Sequence, residues 1–105
     1  MRKINIATQF SRYPAGRFCT DGPNSGERFR EEFLTPVLES GESTEVILDG
    51  ARGYGSSFLE EAFGGLVRKG YSTDRIKQCF KLISNDDSSL EAEVYGYIDE
   101  ARAGV

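Results

Sequence analysis

The stretch that decides the fold runs from Glu45 to Lys69 and reads EVILDGARGYGSSFLEEAFGGLVRK. Its residues 46–48 are a short continuous apolar run, typical of a strand buried on both faces, and Asp49 and Gly50 end that run. Further on, apolar residues return every three or four positions, which is the spacing of a helix. These residues are Phe58, Leu59, Ala62, Phe63, Leu66 and Val67. The stretch therefore predicts a strand, a glycine-rich loop and an amphipathic helix in succession.

Two serines, Ser56 and Ser57, stand where the glycine-rich loop meets the predicted helix. A serine hydroxyl at a helix start can accept a hydrogen bond from a backbone N–H of the first turn, so either serine is a candidate N-cap. Capping needs only one hydroxyl, which leaves the other for a different role. We therefore expect the function at this join.

The side of the helix opposite its apolar stripe carries charges and glycine. A helical projection places Glu60, Glu61, Gly64 and Arg68 there, with Gly65 at the margin. Glycine inside a helix costs about 0.8 to 1 kcal/mol relative to alanine, so the pair indicates a compensating role. One interpretation is a flat patch, with Gly64 pointing outward, on which a partner backbone lies. The other is that glycine lets the helix pack tightly within its own domain.

These residues resemble a known family. The order of strand, loop, Ser-Ser and helix is similar to the phosphoacceptor segment of STAS domains, the fold of sulfate transporters and anti-sigma-factor antagonists. The sequence GSSFLEEAFGGL, together with GRFCTDGPNSGERFREEFL at residues 16–34, resembles the sequences of the small bacterial STAS-like proteins. Antagonists have Asp-Ser-Ser-Gly at the motif. Here Gly55 and Phe58 stand at its first and last positions, and Ser56 matches the phosphorylated serine.

The resemblance implies a single α/β domain over residues 1–105, with a small mixed β-sheet and helices packed mainly on one face. It also implies a regulatory module that docks on a GHKL-type ATPase or a histidine-kinase-like protein. Ser56 and Ser57 are then the candidate phosphoacceptors. The partner-binding residues would be Tyr54, Gly55, Glu60, Glu61, Gly64 and Arg68. The alternative is an antitoxin-like or defence-associated accessory protein that binds its partner constitutively, with serines that only cap.

Length and charge limit the classes of function. A chain of 105 residues fits one domain, and it has no apolar run of the length that spans a bilayer, so we expect a cytoplasmic protein without a membrane partner. The net charge of −4 argues against nucleic-acid binding, which needs a basic surface. Arg12, Arg17, Arg28 and Arg30 nevertheless cluster in the first third. This cluster either meets an acidic protein or forms a solvated helix face.

Enzymatic and metal chemistry lack their usual residues. The chain has no histidine, and its two cysteines, Cys19 and Cys79, are far apart in sequence. Cys19 precedes a loop that opens a helix, but a phosphatase loop would have arginine where Ser25 stands. We therefore expect no enzyme activity, no metal site and no cofactor.

The remaining elements follow from periodicity and capping residues. The pattern predicts a strand over residues 3–8, a helix after Ser25 that ends or kinks at Pro36, a short helix over residues 74–78, a strand over residues 79–83 and a last helix after Ser88 or Ser89.

Overall fold

The computed structural model of the protein describes residues 2–102. Its sheet has the strand order β1-β2-β3, with β1 at Arg2–Asn5, β2 at Thr44–Ile47 and β3 at Phe80–Ile83. Both strand pairs are parallel, so the prediction of a mixed sheet is wrong for the described part of the chain. Helical segments connect consecutive strands, and such crossovers return the chain to the same end of the sheet before the next strand begins.

The helices are named α1 to α4 in chain order. Helix α1 covers residues 26–40 in three consecutive segments, Gly26–Phe29, Arg30–Leu34 and Thr35–Ser40. Helix α2 covers residues 56–68, also in three segments, Ser56–Leu59, Glu60–Gly64 and Gly65–Arg68. Helix α3 is Thr73–Cys79 and helix α4 is Ser89–Glu100. A π-helical turn, Ile6–Phe10, follows β1, and a 3₁₀ turn covers Cys19–Asp21. The first strand is therefore shorter than predicted, because the Asn5 side chain accepts a hydrogen bond from the Thr8 N–H at 3.2 Å and starts a helical turn.

Helices α1 and α2 each contain a π-helical turn, Arg30–Leu34 in α1 and Glu60–Gly64 in α2, and these two turns contact each other. Such widened turns are rare and often lie at functional sites. In α1 the widened turn comes just before Pro36, which has no N–H to donate. The helix continues past Pro36, so of the two alternatives expected at this residue, an end or a kink, the end is wrong. Its start is as predicted, since the Ser25 hydroxyl accepts from the Arg28 N–H at 3.2 Å.

The buried apolar side chains form one cluster around the sheet and helices. Ile4, Val46 and Leu82 lie in register across the three strands, and all three are buried. Phe58, Phe63 and Leu66, predicted to face the core, are fully buried.

The other face of the sheet is more open. Lys3, Glu45 and Lys81 form its cross-strand row, and both lysines are exposed. Ile47 on this face is only half-buried, so β2 is not buried on both faces as its apolar run predicts. No helix within residues 2–102 is long and apolar enough to cross a membrane.

Candidate functional site: the start of helix α2

Helix α2 begins after the glycine-rich loop, and Gly55 is its N-cap. Gly55 has extended backbone angles (φ −69°, ψ 142°), and its carbonyl accepts hydrogen bonds from the N–H groups of Phe58 and Leu59. Ser56 and Ser57 are the first two residues of the helix, and both are exposed. No side chain caps this helix, so the prediction that one of the serines does so is wrong. Within residues 2–102, neither hydroxyl takes part in capping this helix.

Tyr54 fixes the loop that leads to the serines. Its hydroxyl donates to the Leu48 carbonyl at 2.8 Å, and its ring lies 6.0 Å from that of Phe58. Burial raises the pKa of Tyr54, and the charges of Asp49 and Asp86 raise it further. The hydroxyl therefore stays neutral and donates the hydrogen bond that holds the loop at the end of β2. Tyr54 is half-buried, so only part of its side chain is accessible to a partner.

A second loop, residues 11–18, lies beside the first. The Arg52 N–H donates to the Arg12 carbonyl at 2.8 Å, which joins the two loops through their backbones. Tyr13 and Phe18 on this second loop are 61% and 47% exposed, whereas Pro14 between them is buried and anchors the loop. The loop that is bonded to the serine loop thus carries two aromatic side chains that stand in solvent.

The outer side of α2 is occupied by the protein's own arginines. Arg68 binds Glu60 through two bonds of 2.7 and 3.0 Å and reaches Glu61 at 3.1 Å. Arg17 binds Glu60 and Glu61 as well. The hydrogen bond from Arg68 is the main reason why the pKa of Glu60 lies below its ordinary value. The charges predicted to orient a partner are therefore already paired within the domain.

Glu61 lies deeper in this network. It pairs with Arg30 of α1 at 2.5 Å, and Arg30 also donates to the Glu61 carbonyl at 3.1 Å. Glu61 and Arg30 are 6% and 2% exposed. Glu61 is therefore too deeply buried to serve as a contact residue for a partner. Arg30 is also not part of a solvated helix face, which was one interpretation of the arginine cluster.

The adjacent glycines are both buried, and each has a packing role. A Cβ on Gly65 would overlap the Arg30 guanidinium, so the glycine makes room for the ion pair. A Cβ on Gly64 would lie 2.5 Å from Glu60 Oε2 and 3.4 Å from the Tyr97 carbonyl of α4. The prediction that Gly64 points outward is wrong, because α4 covers it. Tight packing within the domain is the correct interpretation for both glycines.

Gly26 shows the same closeness from the side of α1. A Cβ there would overlap the Phe58 carbonyl oxygen, so the first turns of α1 and α2 approach backbone to backbone. No local pattern in the sequence marks Gly26, Arg17 or Arg30 as residues of this crossing. The available signal was the presence of arginines upstream of two adjacent glutamates, but nothing in their spacing pairs them.

Two other features lie apart from the serines. The Cys19 N–H donates to Glu27 at 2.8 Å, and this bond lowers the pKa of Glu27. A pocket of about 260 Å³ lies between α2 and the end of α4. It is lined by Glu60, Arg68, Tyr97, Glu100, Ala101 and Arg102.

Within residues 2–102, no group of three or more His, Cys, Asp or Glu side chains is placed to hold a metal ion.

A family model described as a STAS-like domain of unknown function (DUF4325) matches residues 25–90. The chain belongs to this STAS-like family. The match includes β2, the serine loop and α2, whereas residues 11–18 precede it. Neither a curated protein nor a solved structure matches the chain.

Proposed function

We propose that this STAS-like domain is a regulatory protein-binding module that resembles an anti-sigma-factor antagonist. Its docking surface is the loop of Tyr54, Gly55, Ser56 and Ser57, and its partner is a GHKL-type ATPase or a histidine-kinase-like protein. One observation carries the proposal: two adjacent, exposed hydroxyls stand at the start of a buried helix without capping it. The family supports the choice of this loop, because STAS-domain antagonists carry their phosphoacceptor serine at the same join.

Phosphorylation of Ser56 switches the docking in this proposal. A phosphate adds about −1.5 to −2 charges at pH 7. The first N–H groups of a helix have no intrahelical acceptor and carry the positive end of the helix dipole, so they stabilise an anion at this position. The modified domain therefore stays folded. Glu60 and Glu61 are neutralised by arginines, so the phosphate weakens the complex through its own charge and bulk.

The test of the docking surface is a steric block at Gly55. Gly55 is exposed, and nothing lies within 4 Å of a Cβ placed there, so Gly55→Arg leaves the fold intact. The control is Gly96→Arg, since a Cβ on Gly96 of α4 also meets nothing within 4 Å. Each tagged variant is returned to the native cell, and its co-purified partner is quantified by mass spectrometry. We expect Gly55→Arg to lose the partner and Gly96→Arg to keep it.

Intact-mass measurement of the same preparations tests the switch. We expect a fraction of the wild-type protein to carry one added phosphate and to be depleted from the complex. Ser56→Asp should weaken the complex as an incomplete mimic of that phosphate. If Gly55→Arg captures as much partner as the wild-type protein does, the loop of residues 54–57 is not the docking surface. A complex lost in Gly55→Arg but unchanged in Ser56→Asp, with no phosphate found, would favour the constitutive accessory protein.

A further inference from the structure

We propose that the loop over residues 11–18 and the loop over residues 50–57 together form a basic and aromatic docking surface for an acidic segment of a partner protein. We call it the loop surface and define it by Arg12, Tyr13, Phe18 and Arg52. The inference rests on the proposed function, because it places the partner's main contact beside Ser56. It adds the chemistry of the partner and a set of residues outside α2.

The two loops form one continuous surface. Their backbones are joined by the Arg52–Arg12 hydrogen bond of 2.8 Å. The other end of the 11–18 loop is fixed to α2 through the ion pairs of Arg17 with Glu60 and Glu61. Ser56 is four residues after Arg52, so its Cα lies within about 14 Å of the Arg52 Cα even in a fully extended chain. An extended segment of about five residues bound at Arg52 is therefore long enough to reach Ser56.

The residues of the two loops carry a charge opposite to that of the whole protein. The chain as a whole carries −4, yet residues 10–20 and 50–59 contain three arginines and no Asp or Glu. Arg17 is neutralised by Glu60 and Glu61. Arg12 and Arg52 are exposed and make no ion pair within residues 2–102. Two free guanidinium groups on an acidic protein match carboxylates on a partner, to which arginine binds through two parallel hydrogen bonds.

The nearby carboxylates are bonded to backbone N–H groups and form no ion pair with Arg12 or Arg52 within residues 2–102. Asp49 accepts hydrogen bonds from the Asn85 and Asp86 N–H groups, each at 2.7 Å. Asp86 accepts from the Gly50 N–H at 3.0 Å, and Asp21 accepts from the Phe18 N–H at 2.8 Å. These carboxylates hold backbone turns in place.

The same loop carries the exposed aromatic side chains. Tyr13 and Phe18 are the large hydrophobic residues that stand in solvent within the described part of the chain. A single exposed hydrophobic residue is ordinary, but Tyr, Phe and Arg together are the residue types enriched in protein interfaces and at their energetic centres. The presence of exposed arginines and exposed aromatic side chains on these two joined loops identifies the loop surface.

An acidic protein segment fits this surface better than a nucleic acid does. Binding to a phosphate backbone depends on many cations at once, and the net charge of −4 opposes the approach of a polyanion. A protein segment can place one or two carboxylates at the arginines and an apolar side chain against Tyr13 or Phe18, while the rest of it remains neutral.

The test is a titration of the ¹⁵N-labelled full chain with a short synthetic peptide of Asp and Glu that has one central Phe. A peptide with Asn and Gln in place of the acids is the matched control. We expect amide shifts at Arg12, Tyr13, Phe18 and Arg52. The affinity should fall severalfold between about 50 and about 200 mM salt, since the charges at the rim of an interface are screened.

Two double variants locate the binding. Arg12→Glu/Arg52→Glu should bind the acidic peptide at least about tenfold more weakly, because both guanidinium contacts are reversed in sign. Lys3→Glu/Lys81→Glu makes the same number of charge reversals on the open sheet face and should bind within about twofold of wild type. Tyr13→Ala should also weaken binding, and it keeps the charge unchanged. Dispersed amide spectra of all three variants establish that they are folded.

Equal binding of the acidic and neutral peptides, or wild-type binding by Arg12→Glu/Arg52→Glu, would overturn the inference. Tighter binding of a single-stranded thymidine oligonucleotide than of the acidic peptide, with the same shifted residues, would overturn it in favour of a nucleic-acid surface. The Gly55→Arg capture experiment separates the two proposals. A partner lost in Gly55→Arg but retained in Arg12→Glu/Arg52→Glu overturns the loop surface alone. A partner retained in Gly55→Arg while the peptide still binds overturns the serine docking loop alone.

Discussion

The first turn of α2 and the middle of the same helix are built in opposite ways. In the first turn, Ser56 and Ser57 are exposed and neither caps the helix. One turn later, Glu61 is buried and bonded to arginines from three parts of the chain. The middle of the helix is therefore a structural joint, and its start is a surface that the fold leaves free.

This difference separates residues that are costly to change from residues that are available to a partner. A buried ion pair adds little net stability compared with well-packed apolar side chains, but removing one of its partners leaves an uncompensated charge. An exposed serine without a structural hydrogen bond has no such penalty.

The largest effect is expected for Glu61→Ala. This change removes the buried carboxylate at 2.5 Å from the Arg30 guanidinium and leaves only the half-exposed Glu31, at 3.0 Å, as its ion-pair partner within residues 2–102. Breaking a buried pair in this way costs about 3 to 5 kcal/mol. Urea unfolding followed by circular dichroism measures the loss. Replacing both residues, as Arg30→Met/Glu61→Leu, should cost less than Glu61→Ala alone. A loss below about 1 kcal/mol for Glu61→Ala would show that the joint is not a structural one.

A smaller loss is expected where the two helices touch. Gly26→Ala adds a methyl group that overlaps the Phe58 carbonyl oxygen, and such overpacking costs about 1 to 3 kcal/mol. The control is Gly96→Ala, which places a methyl group in open space within α4 and should stabilise by about 0.5 to 1 kcal/mol. If the two substitutions change the unfolding free energy in the same direction, the close approach of α1 and α2 is not present.

The ion pairs of Glu60 predict that the unfolding free energy depends on pH in the acid range. The pKa of Glu60 is lower in the folded protein than its ordinary value of 4.5, chiefly through the bond from Arg68. A carboxyl group whose pKa is lower in the folded protein than in the unfolded chain stabilises the fold at pH values above the unfolded pKa. This stabilisation is lost as the pH falls through the folded pKa. The unfolding free energy of wild type should therefore fall more steeply below about pH 4.5 than that of Glu60→Gln. Parallel pH profiles for the two proteins would contradict this account of the network.

A gain is expected from supplying the cap that α2 lacks. Gly55→Asp places a carboxylate at an N-cap position where the added side chain meets nothing. A capping carboxylate at a helix start stabilises by about 0.3 to 1 kcal/mol relative to glycine. The gain should disappear at a pH where the new carboxyl is protonated. A destabilised Gly55→Asp at neutral pH would mean that Gly55 has a role other than capping.

The sequence allowed the inner side of α2 to be predicted, because apolar periodicity is a local signal. Phe58, Phe63 and Leu66 follow that period, and all three are buried. The outer side could not be predicted in this way. Arg17 and Arg30 bind glutamates that are 43 and 31 residues further along the chain, and no local pattern records such pairs.

The serine pair lies at the start of α2, as the sequence predicts, but neither hydroxyl caps the helix. Serine is a common N-cap, and the boundary of a helix is uncertain by a few residues when read from sequence. The helix begins one residue earlier than a Ser56 cap requires, since Gly55 supplies the extended backbone angles of the cap. The loop surface had a sequence signal, namely the absence of Asp and Glu from residues 10–20 and 50–59. That signal acquires meaning only when the two loops are found side by side.

The central claim is that the fold does not need the serine pair, and the unfolding free energy of Ser56→Ala/Ser57→Ala tests it most directly. We compare it with Ser72→Ala, since Ser72 is an exposed serine that does cap its helix by accepting from the Arg75 N–H at 3.1 Å. The account predicts that the double variant stays within about 0.5 kcal/mol of wild type, whereas Ser72→Ala loses about 0.5 to 2 kcal/mol. A loss in the double variant equal to or greater than that of Ser72→Ala would show that the serines are structural and would contradict the claim.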